Sequence, residues 1–328
     1  MSLRADTRLV ATAALLALAA IGAVTGNVWA AFHATTNSAG NRVVGAPDWV
    51  APTVSSSVIR KTQGGTPGFI HQGGTYNAFA AVSDTGNPAS GIASAAGNMS
   101  TLTTGQGSAP LTSGSFAIAG TSYNVRTGTL TADSTLAAGT YAYSLTSADA
   151  AGNQGTQTGY FVIVDNTAPT AADVQTTNKT GNVAGRPDIG DTVTFTFSEP
   201  IDPESVLPGW TGAATSVVAR IERDSPPNNR FAVYNATNAT QLPLGTVNLG
   251  RPDYVAANTS FGASGTSSTM IQSGNAITIT LGTASGATTT TGNTAAMIWT
   301  ASALATDRAG NAEGTTARTE TGAADKDF

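Results

Sequence analysis

Beyond residue 30 the chain is patterned in twos. Val193, Phe195 and Phe197 alternate with Thr192, Thr194 and Thr196, which predicts a strand with one apolar and one threonine face. Tyr141, Tyr143 and Leu145 alternate with Ala142 and Ser144 in the same way. Thr75 to Ser83, Val217 to Ile221, Phe231 to Tyr234 and Ile277 to Leu281 read as further strands. The unbroken run Tyr160-Phe-Val-Ile-Val164 predicts a central strand. Gly86-Asn87-Pro88, Gly97-Asn98 and Ala138-Gly139 punctuate these runs as turns. The one helical signal is Asp202-Pro203-Glu204-Ser205, a single turn with Asp202 as N-cap and Pro203 in first position. Many short strands without helical periodicity predict an all-β fold of sandwich type.

The pattern occurs twice. Asp149-Ala-Ala-Gly152-Asn153 returns 158 residues later as Asp307-Arg-Ala-Gly310-Asn311. Gly73-Gly74-Thr75 and Ala51-Pro52-Thr53 return 117 residues later as Gly190-Asp191-Thr192 and Ala168-Pro169-Thr170. Two copies of one module are implied, the second longer in its middle by about 41 residues. The expected boundaries are 51–166 and 167–322, with an added hairpin or long loop around 225–273 and a tail at 323–328. Asp165-Asn-Thr-Ala-Pro169 forms a short, stiff junction, because proline holds the residue before it extended. At the 158-residue offset Trp299 falls on Tyr141, which marks it as core.

The first 30 residues are of a different kind. Arg4 and Arg8 precede an almost wholly apolar stretch from Leu9 to Val24, and Val28-Trp29-Ala30 offers a cleavage point. As a helix, that stretch of about 16 residues reaches about 24 Å, short of the roughly 30 Å hydrocarbon core. Residues 1–30 therefore read as a signal peptide and 31–50 as an N-terminal extension, with no permanent membrane span after removal.

Composition narrows the chemistry. The net charge is −5, which gives no electrostatic footprint for nucleic acid. No cysteine is present, so disulfides, thiolate metal sites and cysteine nucleophiles are all excluded. His33 and His71 are the only histidines, and neither has a metal-ligand or triad partner nearby in sequence. No Gly-x-Ser-x-Gly and no phosphate-cradling glycine loop occurs. The reading is a non-enzyme without an organic cofactor. Trp49 and Trp210 are candidate platforms for sugar rings, with core or edge packing as the plainer role.

Three resemblances add to this. The set Asp-x-Ala-Gly-Asn, a strand, then Val164-Asp-Asn-Thr-Ala-Pro-Thr170 resembles bacterial immunoglobulin-like domains of surface adhesins. Gly190-Asp-Thr-Val-Thr-Phe-Thr-Phe-Ser-Glu-Pro200 resembles related modules of cell-wall and S-layer proteins. Over about 20 residues, Ala30-Ala31-Phe32 with Thr35-Thr-Asn-Ser-Ala-Gly-Asn41 resembles the start of TasA and camelysin-type exports. The resemblances imply two tandem Ig-like β-sandwich domains, secreted or associated with the cell surface. They imply a structural or adhesive role toward a surface, matrix or cell-wall partner, or self-association. Carbohydrate or cell-wall binding is the alternative. In the adhesin-like domains, junction aspartates bind calcium that stiffens the rod. Here Asp165, Asp149 and Asp84 are the candidate ligands, with Asp149 and Asp84 expected to approach Asp165 at one end of the sandwich. Each also reads as a turn cap that accepts backbone N–H bonds.

Overall fold

The computed structural model describes residues 48–223 and 227–328. The signal segment, most of the N-terminal extension and His33 lie outside the described residues. Nineteen strands and one short helix are described. The molecule is all-β, in two domains.

The first sheet contains β1 Thr53–Lys61, β2 Phe69–Ile70, β3 Thr75–Ser83, β4 Ile92–Asn98, β5 Ala109–Ile118, β6 Thr121–Thr127, β7 Leu130–Thr131, β8 Gly139–Asp149 and β9 Gln154–Val164. Its order is β1-β3-β6-β5-β4-β8-β9-β2, with β7 beside β3. The sheet turns back on itself, so β1 faces β8 and β9. Tyr160 Oη donates to the Val54 carbonyl at 3.0 Å, and Ser57 Oγ meets Tyr143 Oη at 3.1 Å. The core between the two halves holds Ile59, Tyr76, Val125, Tyr143, Leu145 and Val162.

The Tyr160–Val164 run differs from its expectation. β9 has β8 on one side but only the two residues of β2 on the other. Tyr143, Val162 and Val164 enter the core, whereas Phe161 is 60% exposed. A continuous apolar run here covers one buried face and one open face.

The second sheet contains β10 Ala171–Thr177, β11 Thr192–Phe197, β12 Thr215–Glu222, β13 Arg230–Asn235, β14 Thr246–Asn248, β15 Thr259–Phe261, β16 Ser268–Ser273, β17 Ala276–Thr280, β18 Ile298–Thr300 and β19 Arg318–Thr319. Its order is β10-β11-β17-β16-β12-β13-β14-β18-β19, with β15 beside β12. The helix α1 is Pro203–Val206, capped by the Asp202 carboxylate on the Glu204 amide. The described part of the 225–273 stretch supplies β13 to β16, and its Leu249, Tyr254 and Phe261 lie in the core. Alternation in β11 is obeyed: Val193, Phe195 and Phe197 are all buried. Trp299 packs edge-on against Phe195 and Phe197, at 5.1 and 5.0 Å between ring centres. Its Nε1 donates to the Leu244 carbonyl at 2.7 Å, which satisfies the one polar atom of a buried ring. The two ends of this sheet meet. Arg318 Nε donates to the Ala172 carbonyl at 2.7 Å, the Thr321 amide to Asp173 at 2.8 Å, and Gln175 Nε2 to the Thr321 carbonyl at 3.0 Å.

The modules join through more than the linker, and Asp48 to Phe328 form one compact unit. Lys61 leaves β1 and buries its ammonium against Asp202, with a second bond to the Arg308 carbonyl at 2.7 Å. Arg60 pairs with Glu204 at 2.9 Å, and the Gly65 amide donates to the same Glu204 oxygen at 2.6 Å. Gly65 has φ +78°, and a Cβ there would lie 1.7 Å from the Asp202 carboxylate. Only glycine permits that approach.

Candidate metal centres

Each module builds a three-carboxylate group, and the two groups are built alike. In the first, Asp48 precedes β1, Asp84 follows β3 and Asp149 ends β8. In the second, Asp165 precedes β10, Glu199 follows β11 and Asp307 opens the repeated Asp-x-Ala-Gly-Asn loop. Within each group, one oxygen of every carboxylate lies within 4.8 Å of the others. That spacing suits ligands about 2.4 Å from one calcium ion.

The loop that carries Asp149 or Asp307 has the same internal wiring in both copies. The Asp149 amide donates to the Asn153 carbonyl at 3.1 Å, and the Asp307 amide to Asn311 at 3.1 Å. The Asn153 amide reaches Asp149 Oδ1 at 2.8 Å, and the Asn311 amide reaches Asp307 Oδ1 at 2.8 Å. Gly152 and Gly310 make the turn at φ +93° and +99°. The asparagine side chain then clasps two partners. Asn153 Nδ2 bonds Asp149 Oδ2 at 2.7 Å and the Asp48 carbonyl at 3.2 Å. Asn311 Nδ2 bonds Asp307 Oδ2 and the Asp165 carbonyl, both at 2.8 Å.

Electrostatics separate the groups. The amides of Val50 and Ser90 hold the Asp48 carboxyl below its ordinary value. Asp84 accepts the amides of Gly86 at 3.2 Å and Gly91 at 2.7 Å. The second group is less satisfied. Glu199 Oε1 is buried without a hydrogen-bond partner. Burial, then the charges of Asp165 and Asp307, push Glu199 up to about 7. Burial also raises Asp307, against the bonds from Asn311 and Gly310. Three crowded carboxyls, one of which has a buried oxygen without a donor, are poised to take up a proton or a cation. Their all-oxygen donor set favours a hard ion such as calcium.

Of the three candidate ligands from sequence, Asp84 and Asp149 come together in the first module. Asp165 belongs instead to the group at the module junction. Asp48 and Glu199 were missed. The 117-residue offset carries Asp165 back onto Asp48, a signal present in the sequence. Glu199 is harder to find, because β3 is longer than β11 and a fixed offset lands on Val82. His71 joins neither group; its Nδ1 lies 2.8 Å from the Gln72 carbonyl. Trp210 is buried, with Nε1 donating to the Ala213 carbonyl at 2.6 Å, while Trp49 is 77% exposed. Among the described residues no helix is long and apolar enough to cross a membrane. The chain matches no protein-family model, and no curated protein matches it either.

Proposed function

We propose that this is an exported, non-catalytic structural or adhesive protein, a short rod of two Ig-like sandwiches stiffened by calcium. The observation that carries the reading is the duplicated carboxylate group, present once per module at the same point of the repeat. In the second copy Asp165 belongs to the linker and Glu199 and Asp307 to the next module. A cation there would relieve like-charge repulsion and fix the inter-module angle together. Binding to the folded form alone stabilises by about 2.7 kcal/mol at a hundredfold excess over Kd.

Melting and small-angle scattering of the full chain, with millimolar calcium and with chelator, test the stiffening. Calcium should raise the melting temperature and narrow the scattering distribution, and Asp165→Ala should shrink both effects. Identical curves under the two conditions would reduce the aspartates to turn caps. Fractionation of culture into medium, wall and membrane tests export, and recovery in the cytosol alone would refute it.

A second reading, carbohydrate or cell-wall binding, is favoured by one feature: the exposed Trp49 indole beside Asp48. An open aromatic face can stack on a sugar ring. Retention on a polysaccharide column that Trp49→Ala abolishes would favour this role over a purely structural one.

A further inference from the structure

A third carboxylate group lies outside the repeat. It consists of Glu320, Asp325 and Asp327, again with oxygens within 4.8 Å of one another. No group of this kind occurs at the matching place among the described residues of the first module. Asp327 is fully buried; its Oδ2 accepts from Tyr254 Oη at 2.9 Å and its Oδ1 from Thr176 Oγ1 at 3.3 Å. Glu320 is 9% exposed, and its Oε1 has no hydrogen-bond partner. Asp325 is exposed and sits at the mouth of the group. None of the ion pairs among the described residues involves any of the three. The Lys326 stem runs over Gly185 instead.

A buried carboxylate oxygen without a donor is costly, and two buried carboxylates side by side are costlier. Asp173 does not relieve them. It is a further negative charge, which accepts Thr321 Oγ1 at 2.9 Å. The charge imbalance therefore has no protein remedy in the group itself.

We propose that Glu320, Asp325 and Asp327 form a divalent-cation site that takes calcium and pins residues 320–327 to β10 and to the Tyr254 loop. The donors are all oxygen, which selects a hard ion. Oxygens within 4.8 Å of one another can share one ion at calcium–oxygen distances of about 2.4 Å. The exposed side of Asp325 leaves room for the water ligands that complete a calcium shell.

The test is a count. The full chain, stripped with chelator, is titrated calorimetrically with calcium, and Glu320→Gln is titrated beside it. The variant should bind one equivalent fewer, while Asp165→Ala retains the equivalent that Glu320→Gln loses. Equal stoichiometry in wild type and Glu320→Gln would overturn the site and leave a carboxyl pair sharing a proton. Should Glu320→Gln fail to fold, terbium replaces calcium as the probe, with excitation through tyrosine. Tyr254→Phe leaves every carboxylate in place and should lose part of the calcium-competed emission. Unchanged emission would overturn the proposal.

Discussion

Asn311 ties its module to the end of the preceding one: its Nδ2 donates at 2.8 Å to the carbonyl of Asp165, the residue that follows β9. The same nitrogen donates to Asp307 Oδ2, so one amide orients both a carboxylate and the linker backbone. Asn311→Ala strips a donor from each and should destabilise the chain by about 1–3 kcal/mol. Urea unfolding measures this. A loss below about 0.5 kcal/mol would mean that water replaces the amide at no cost.

Phe195 fills the second core between Phe231 and Trp299. Phe195→Ala removes a fully buried ring that two large neighbours cannot close over. A loss of roughly 3–5 kcal/mol is expected in the same unfolding assay. A change under about 1 kcal/mol would contradict the packing described.

Lys61 and Asp202 form a buried pair between modules, each side chain almost inaccessible. Lys61→Ala leaves the Asp202 charge without its partner and should cost about 3–5 kcal/mol. Limited proteolysis gives a second readout: cleavage at 165–169, slow in the parent, should accelerate in the variant. The double change Lys61→Met with Asp202→Asn should recover much of the loss, because it removes both charges. Failure to recover would show that the loss does not come from the uncompensated Asp202 charge.

Glu313 is buried, with neither carboxyl oxygen meeting a hydrogen-bond partner, and burial pushes it up to about 8. Its folded value lies above the unfolded one near 4.5. The folded state therefore holds the proton more tightly, and stability falls as pH rises from about 4.5 to about 8. Glu313→Gln keeps the neutral shape and should flatten that part of the melting-temperature profile. A slope equal to that of the parent would place its origin elsewhere.

What could be read in the sequence was whatever depends on one face of one strand. The threonine–apolar alternation of β11 reports its environment directly, because every second side chain meets the same core. The helical turn at Asp202 was legible for a similar reason, since cap and proline act within four residues. Phe161 and Ile163 were misread because composition does not tell a central strand from one beside a two-residue edge. The carboxylate groups were half legible. Asp149 and Asp84 share a motif or a turn with their own donors, whereas Glu199 depends on where a shortened strand happens to stop.

The meeting of β10 with the 318–321 segment has a consequence for growth. An open strand edge offers a row of amides and carbonyls to any passing chain, which is how sheets lengthen into fibrils. Here Arg318 covers the Ala172 carbonyl, Thr321 lies bonded to the Asp173 and Gln175 side chains, and no residue from Ala171 to Thr176 is fully exposed. The second module is sealed along this margin, so a polymer extended from it would be bricklaid, joined by side chains or ions across finished surfaces, and not woven strand by strand.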